Sequence, residues 1–82
     1  MVNGNRIIQV KDKSIGGNIK KYRELSGYKQ TTLVKELQLR GYDISTYSYN
    51  RIEKGTQNPT VSLLLILCEL FSCDMNSLFE NL

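Results

Sequence analysis

The chain has 82 residues, 40% of them apolar and 23% charged, with a formal net charge of +3 and no histidine. That describes one domain near the lower size limit for folding without staples, with apolar runs far short of the roughly 20 residues a membrane helix needs. Without histidine, a glycine-rich phosphate loop or a close acidic cluster, the usual general base, zinc ligand and Ser-His or Cys-His dyads are missing, so no enzyme, metal site or cofactor is expected.

The charge is unevenly spread. Residues 1–40 hold nine Lys and Arg against three Asp and Glu, whereas residues 41–82 hold two against five. A basic half fits a phosphate-backbone partner, and equally fits a solvated helix surface. The start, "MVNGNRIIQVKDKS", lacks the pattern of a secretory signal, so a cytoplasmic protein with no membrane partner is expected.

Residues 1–13 show no helical period and are expected as an N-terminal arm, with Ile7, Ile8 and Val10 suited to a short extended segment; the folded domain is expected over 14–82. In "IGGNIKKYREL", Ile15, Ile19, Tyr22 and Leu25 recur at i, i+4, i+7 and i+10, which predicts an amphipathic first helix. Gly16 and Gly17 weaken its first turn, and Ser26-Gly27 ends it. A second helix is predicted from about Gln30 through Leu33, Val34 and Leu37, with Thr31 and Thr32 placed to bond free amides at its start.

Ser45 is a good N-cap for a short third helix reaching about Glu53, and Gly55 supplies a stop. Asn58-Pro59-Thr60 reads as a turn followed by another cap. The fourth helix, Val61 to Phe71, is apolar nearly all round and is expected to be surrounded by the others. Asp74 is expected to cap a final short helix with Met75, Leu78 and Phe79 inward. Cys68 and Cys73 lie about 500° of helical turn apart, so the thiols are expected to diverge and to act as small buried hydrophobes rather than as a disulfide or metal pair.

"STYSYNRIEKGTQNPT", residues 45–60, is the unusual stretch. It is too aromatic for an ordinary solvated surface and too polar for a core, as expected of a helix displayed to be read against another molecule.

The order "IKKYREL-SGYKQTTLVKEL", "YSYNRIEKGTQNPT", "LLLILCELFSCDMNSLF" resembles the λ-repressor/Cro-like (Xre-type) helix-turn-helix family over about residues 15–80. The most specific pieces are the run from Arg23 through Ser-Gly-Tyr-Lys to Gln30, the Ile52-Glu53-Lys54-Gly55 end of the third helix, and Asn58-Pro59. The resemblance implies an all-α, five-helix, λ-repressor-like DNA-binding domain whose third helix (about 45–53) enters the major groove while the second crosses the DNA backbone.

Carried onto this chain, it assigns base contacts to Thr46, Tyr47, Asn50 and Arg51, with Arg51 suited to guanine and Asn50 to adenine. Lys29, Gln30, Thr31, Lys54, Thr56 and Asn58 fall where such proteins hold phosphates. Arg23 and Glu53 match positions that pair as a structural ion pair. Tyr49 and Ile52 are expected to point inward. Other readings stay open: Tyr47 could cover the domain's own apolar edge, and Arg51 could form only surface ion pairs.

The chain departs from the family between Gln30 and Glu53, where it is about five residues longer than the shortest members. The extra length sits in "ELQLRGYDIS", around Leu37–Ile44, and implies a longer second helix or an extended turn between helices two and three. Arg40 and Tyr42 ride on it, and Ile44 is expected to fill the gap beside the core.

The resulting expectation is a sequence-specific, double-stranded DNA-binding transcriptional regulator, a small bacterial or phage repressor binding a palindromic operator as a homodimer. Phe71, Leu78, Phe79 and Leu82 are the candidate dimer contacts, or else simply intrachain core. The alternative is a protein-protein interaction module of the same fold, antitoxin-like, without productive DNA binding; the low net charge is its best support.

Overall fold

The helix starts follow the capping chemistry. A computed structural model describes residues 14–80, and in it the Ser45 hydroxyl accepts from the Ser48 amide at 3.0 Å, Thr60 from the Leu63 amide at 3.1 Å and Asp74 from the Ser77 amide at 2.9 Å. Each bond satisfies one of the amides that a helix start leaves without a partner. The helices are α1 (Gly16–Leu25), α2 (Gln30–Leu39), α3 (Thr46–Lys54), α4 (Val61–Phe71) and α5 (Met75–Leu78). The expected arm 1–13 and Leu82 lie outside the described residues.

Two helices are exceptions: α1 begins at Ile15 with no side-chain cap, and the other is α2. Its N-cap is Lys29, which makes no side-chain cap, and Thr31 and Thr32 sit inside the first turn on exposed positions rather than capping it. The expectation that these threonines satisfy the free amides is therefore not met: once Gln30 is the first helical residue, both hydroxyls lie past the cap position.

Four helices end alike. The amides of Tyr28, Tyr42, Thr56 and Cys73 donate to the carbonyls of Arg23, Leu37, Arg51 and Cys68, five residues back. These 6→1 bonds are the Schellman ending, which needs a left-handed residue just before the donor. Gly27, Gly41 and Gly55 fill that place for α1–α3, but α4 uses Ser72, with φ 53°.

The motif also overturns one expectation. Helical arithmetic sends Cys68 and Cys73 apart only while the helix continues; the left-handed turn at Ser72 folds the chain back and brings the two residues together. Burial pushes the Cys68 thiol up to about 11 and shifts Cys73 the same way, with each thiol the other's hydrogen-bond partner. At neutral pH both stay protonated and unreactive.

The core gathers Ile15, Ile19, Leu33, Leu37, Ile44, Tyr49, Ile52, Leu63, Leu64, Leu67 and Leu78. On α1 the inward stripe runs Ile15, Ile19, Arg23, so Leu25 is exposed instead of buried, because an arginine takes the place the apolar pattern gave to leucine. Nor is α4 enclosed on all sides: Leu63, Leu64, Leu67 and Phe71 face in, but Leu65 is 56% exposed. A domain this small leaves one face of every helix toward solvent.

The closest neighbours of α3 are α1 and α2. A Cβ on Gly16 would lie 2.3 Å from the Glu53 carbonyl oxygen and 2.5 Å from that of Ile52, so the start of α1 rests directly on the end of α3.

Across the stretch expected to hold the extra length, α2 continues to Leu39 and residues 40–45 connect it to α3. Arg40 Nη1 meets Glu69 Oε1 at 2.9 Å, the Tyr42 hydroxyl meets Thr60 Oγ1 at 2.6 Å, and Gln38 Nε2 donates to the Ile44 carbonyl at 3.0 Å. With Ile44 buried, the connection is fastened to α4 and the core.

Candidate nucleic-acid interface

Sequence period divides α3 into two faces. Tyr49, Ile52 and Glu53 are buried, while Tyr47 and Lys54 are exposed and Thr46, Asn50 and Arg51 are half-buried. Residues 46/47, 50/51 and 54 recur every three to four positions, so they share one outward face of the helix.

The inward face is held by a polar cluster. Arg23 Nε donates to Glu53 Oε2 at 2.6 Å and Arg23 Nη2 to Oε1 at 3.2 Å. The Tyr49 hydroxyl donates to Oε2 at 2.5 Å, and Gln30 Nε2 to Oε1 at 2.9 Å. A further bond from Arg23 Nη1 reaches the Tyr28 carbonyl at 2.8 Å. The two charged side chains are only 9% and 3% exposed, and four donors to one carboxylate meet the condition under which a buried charge is tolerated.

Burial works to raise the Glu53 pKa, but the bonds from Arg23, Tyr49 and Gln30 outweigh it and hold the carboxyl below its ordinary range. Arg23 is held still more firmly charged, chiefly by its bonds to Glu53. Burial first, and then the bond to Glu53, keeps the Tyr49 phenol protonated well beyond its ordinary range. The Arg23–Glu53 pair was expected from sequence; the parts of Tyr49 and Gln30 were missed. Tyr49 stands four residues before Glu53 on one helix face, which was a usable signal.

The geometry changes the part expected of Gln30. Its amide nitrogen donates to Asn50 Oδ1 at 3.1 Å as well as to Glu53, so both amide hydrogens are occupied and only an acceptor remains. A phosphate oxygen accepts and cannot use it; in this arrangement the start of α2 offers an anion its backbone amides, which no side chain caps. The bond from Gln30 also fixes the Asn50 amide, leaving Asn50 Nδ2 as its outward donor.

Arg51 is disposed differently from the other described arginines of the helical domain. Arg23 and Arg40 are ion-paired, but no carboxylate lies within salt-bridge distance of Arg51 among the described residues. Its guanidinium lies over the Tyr47 ring, 5.7 Å from the centroid, and Nη2 reaches the Thr56 carbonyl only at 3.5 Å. The Thr56 hydroxyl donates to the Arg51 carbonyl at 3.2 Å, closing the end of α3. Tyr47 is 71% exposed, so it does not serve as a cover for the core.

Lys29, Thr31 and Lys54 are exposed, and Asn58 is half-buried with interactions of its own. A groove of about 430 Å³, not foreseen from sequence, opens beside the start of α3 between Tyr42, Ser45, Ser48, Asn58 and Thr60.

Of the candidate dimer contacts, Phe71 and Leu78 are buried in their own chain, Phe71 against the Tyr28 ring at 6.4 Å. They take the intrachain reading, because a side chain already enclosed offers a partner no surface. Phe79, 38% exposed, remains available.

The described residues thus form a small all-helical domain in which α2 packs against α3, whose outer face carries Arg51, Asn50 and Tyr47. The profile of the helix-turn-helix family matches residues 19–78. The chain belongs to that family, in its Xre/λ-repressor-like form, a family of DNA-binding regulators. Among curated proteins none matches the chain in sequence. No described helix is long and apolar enough to cross a membrane.

Proposed function

We propose that the chain is a sequence-specific transcriptional regulator of double-stranded DNA, a cytoplasmic repressor that reads the major groove with α3 and binds a palindromic operator as a homodimer. One observation carries this reading: the outward face of α3 presents Arg51 with no acidic partner among the described residues, beside Asn50 with a free amide donor and the exposed Tyr47 and Lys54. An arginine fork suits guanine O6 and N7, and the exposed Lys29 and Lys54 suit phosphates. The uncapped amides at the start of α2 add a helix-end site for an adjacent phosphate.

Dimerisation serves specificity. One short helix reads few base pairs, each worth about 1–3 kcal/mol; two helices about 34 Å apart on a palindrome double the reading. Phe79 is the remaining described candidate for the contact.

Fluorescence anisotropy on the chain's own upstream DNA and on random duplex, at two salt concentrations, tests the reading. Binding that prefers one sequence, weakens steeply with salt and loses preference in Arg51→Ala supports it. Binding without preference, with Arg51→Ala equal to native, refutes it and favours the interaction module.

A further inference from the structure

Tyr47 and Arg51 are one helical turn apart, and their contact makes a composite surface. The Arg51 guanidinium carbon lies over the Tyr47 ring, 5.7 Å from the centroid. A cation–π contact at this distance takes up none of the guanidinium N–H donors, and those donors are what guanine O6 and N7 accept. The single bond that touches the fork, to the Thr56 carbonyl at 3.5 Å, is too long to compete with a base.

The other half of the surface is apolar. Tyr47 stands nearer the start of α3, the end that lies deepest in the groove in this kind of docking. Its exposed ring therefore borders the base next to the one Arg51 reaches. Along the floor of the major groove the apolar feature is the methyl at C5 of thymine. A cytosine carrying a methyl at the same carbon presents the same group, whereas unmodified cytosine leaves the ring facing a polar edge.

We infer that Tyr47 and Arg51 act as one reading unit for a guanine flanked on its own strand by a C5-methylated pyrimidine, thymine or 5-methylcytosine. The inference rests on α3 being the groove reader. Arg51 supplies the paired hydrogen bonds to guanine, and Tyr47 both holds the guanidinium and meets the neighbouring methyl.

The test begins with selection of sites from a random duplex library by the full chain. The selected site is then titrated by anisotropy with native protein and Tyr47→Ala, whose folding is checked by circular dichroism. Enriched sites contain a guanine beside a thymine. Replacing that guanine by 7-deazaguanine weakens native binding at least about fivefold, the lower end for a lost bidentate pair. Replacing the thymine by uracil removes one methyl and weakens it about fourfold. Tyr47→Ala binds the thymine and uracil duplexes equally, and 5-methylcytosine outperforms cytosine for the native chain only.

A consensus without the guanine–thymine step overturns the inference and leaves groove reading intact; so does a methyl penalty of the same size in Tyr47→Ala. A library that yields no preferred site overturns groove reading itself, and the inference with it.

Discussion

Replacing Gly16 with alanine introduces a Cβ that has no room. It would sit 2.3 Å from the Glu53 carbonyl oxygen and 2.5 Å from that of Ile52. Ordinary contact begins at 3.4 Å, so the start of α1 and the end of α3 must separate by about 1.1 Å. The opposing atoms are backbone carbonyls, and that of Ile52 accepts from the Gly55 amide at 3.1 Å, so no side chain can swing aside. Overpacking of this kind costs about 1–3 kcal/mol, occasionally more, and the separation also stretches the Arg23–Glu53 contact. Alanine's better helix propensity returns less than about 1 kcal/mol at a first-turn position. A net loss of roughly 1–2 kcal/mol lowers Tm by about 4–16 °C in a domain of this size. Gly17→Ala is the control: nothing lies within 4 Å of its Cβ, so the propensity gain of about 0.5–1 kcal/mol should raise Tm by a few degrees. Thermal melts followed by circular dichroism at 222 nm read both. A Gly16→Ala protein melting with the native chain, or with Gly17→Ala, would refute the close approach.

Glu53→Ala strands Arg23 in a nearly buried site and is expected to cost roughly 3–5 kcal/mol, enough to leave much of the protein unfolded in urea titrations at room temperature. Because the folded Glu53 carboxyl sits below its unfolded value, its contribution is full above the unfolded pKa and is lost as pH falls through the folded one; Tm should decline on acidification below about pH 4.5, less steeply in Glu53→Gln. Tyr49→Phe removes a donor from the buried carboxylate, and a loss of about 1.5–3 kcal/mol in denaturant melts is expected of a hydrogen bond to a charged group; an unchanged midpoint would count against the four-donor arrangement. Ser72→Gly relieves a left-handed residue and should gain about 1 kcal/mol, seen as a higher urea midpoint at constant slope.

Much of the fold was legible because local chemistry and packing agree. Ser45, Thr60 and Asp74 cap where the apolar period begins, Gly27 and Gly55 follow where it ends, and the bounds of α4 match its apolar run. The failures came where distant contacts decide. An arginine on the core face of α1 displaced Leu25, because Glu53 from α3 satisfies its charge there. A left-handed serine turned two diverging cysteines into neighbours, an event no fixed helical angle registers. Within the candidate site, the outward stripe of α3 could be read from its period, and the Arg23–Glu53 pair from the resemblance. The pair of hydrogen bonds from Gln30 could not be read, since they depend on how α2 lies across α3 once residues 40–45 have joined them.

The two hydrogen bonds donated by Gln30 limit how α3 can be transplanted. Grafting α3 onto a scaffold without glutamine at the place of Gln30 would carry Asn50 across but not the amide that orients it, because Gln30 belongs to α2. The graft would present Asn50 with either end outward, and the recipient would lose a donor to the carboxylate at the helix end. The portable unit is therefore the helix pair together with residue 30, and exchange of the reading helix alone should yield weaker and less selective chimaeras than exchange of residues 30–54 as a block.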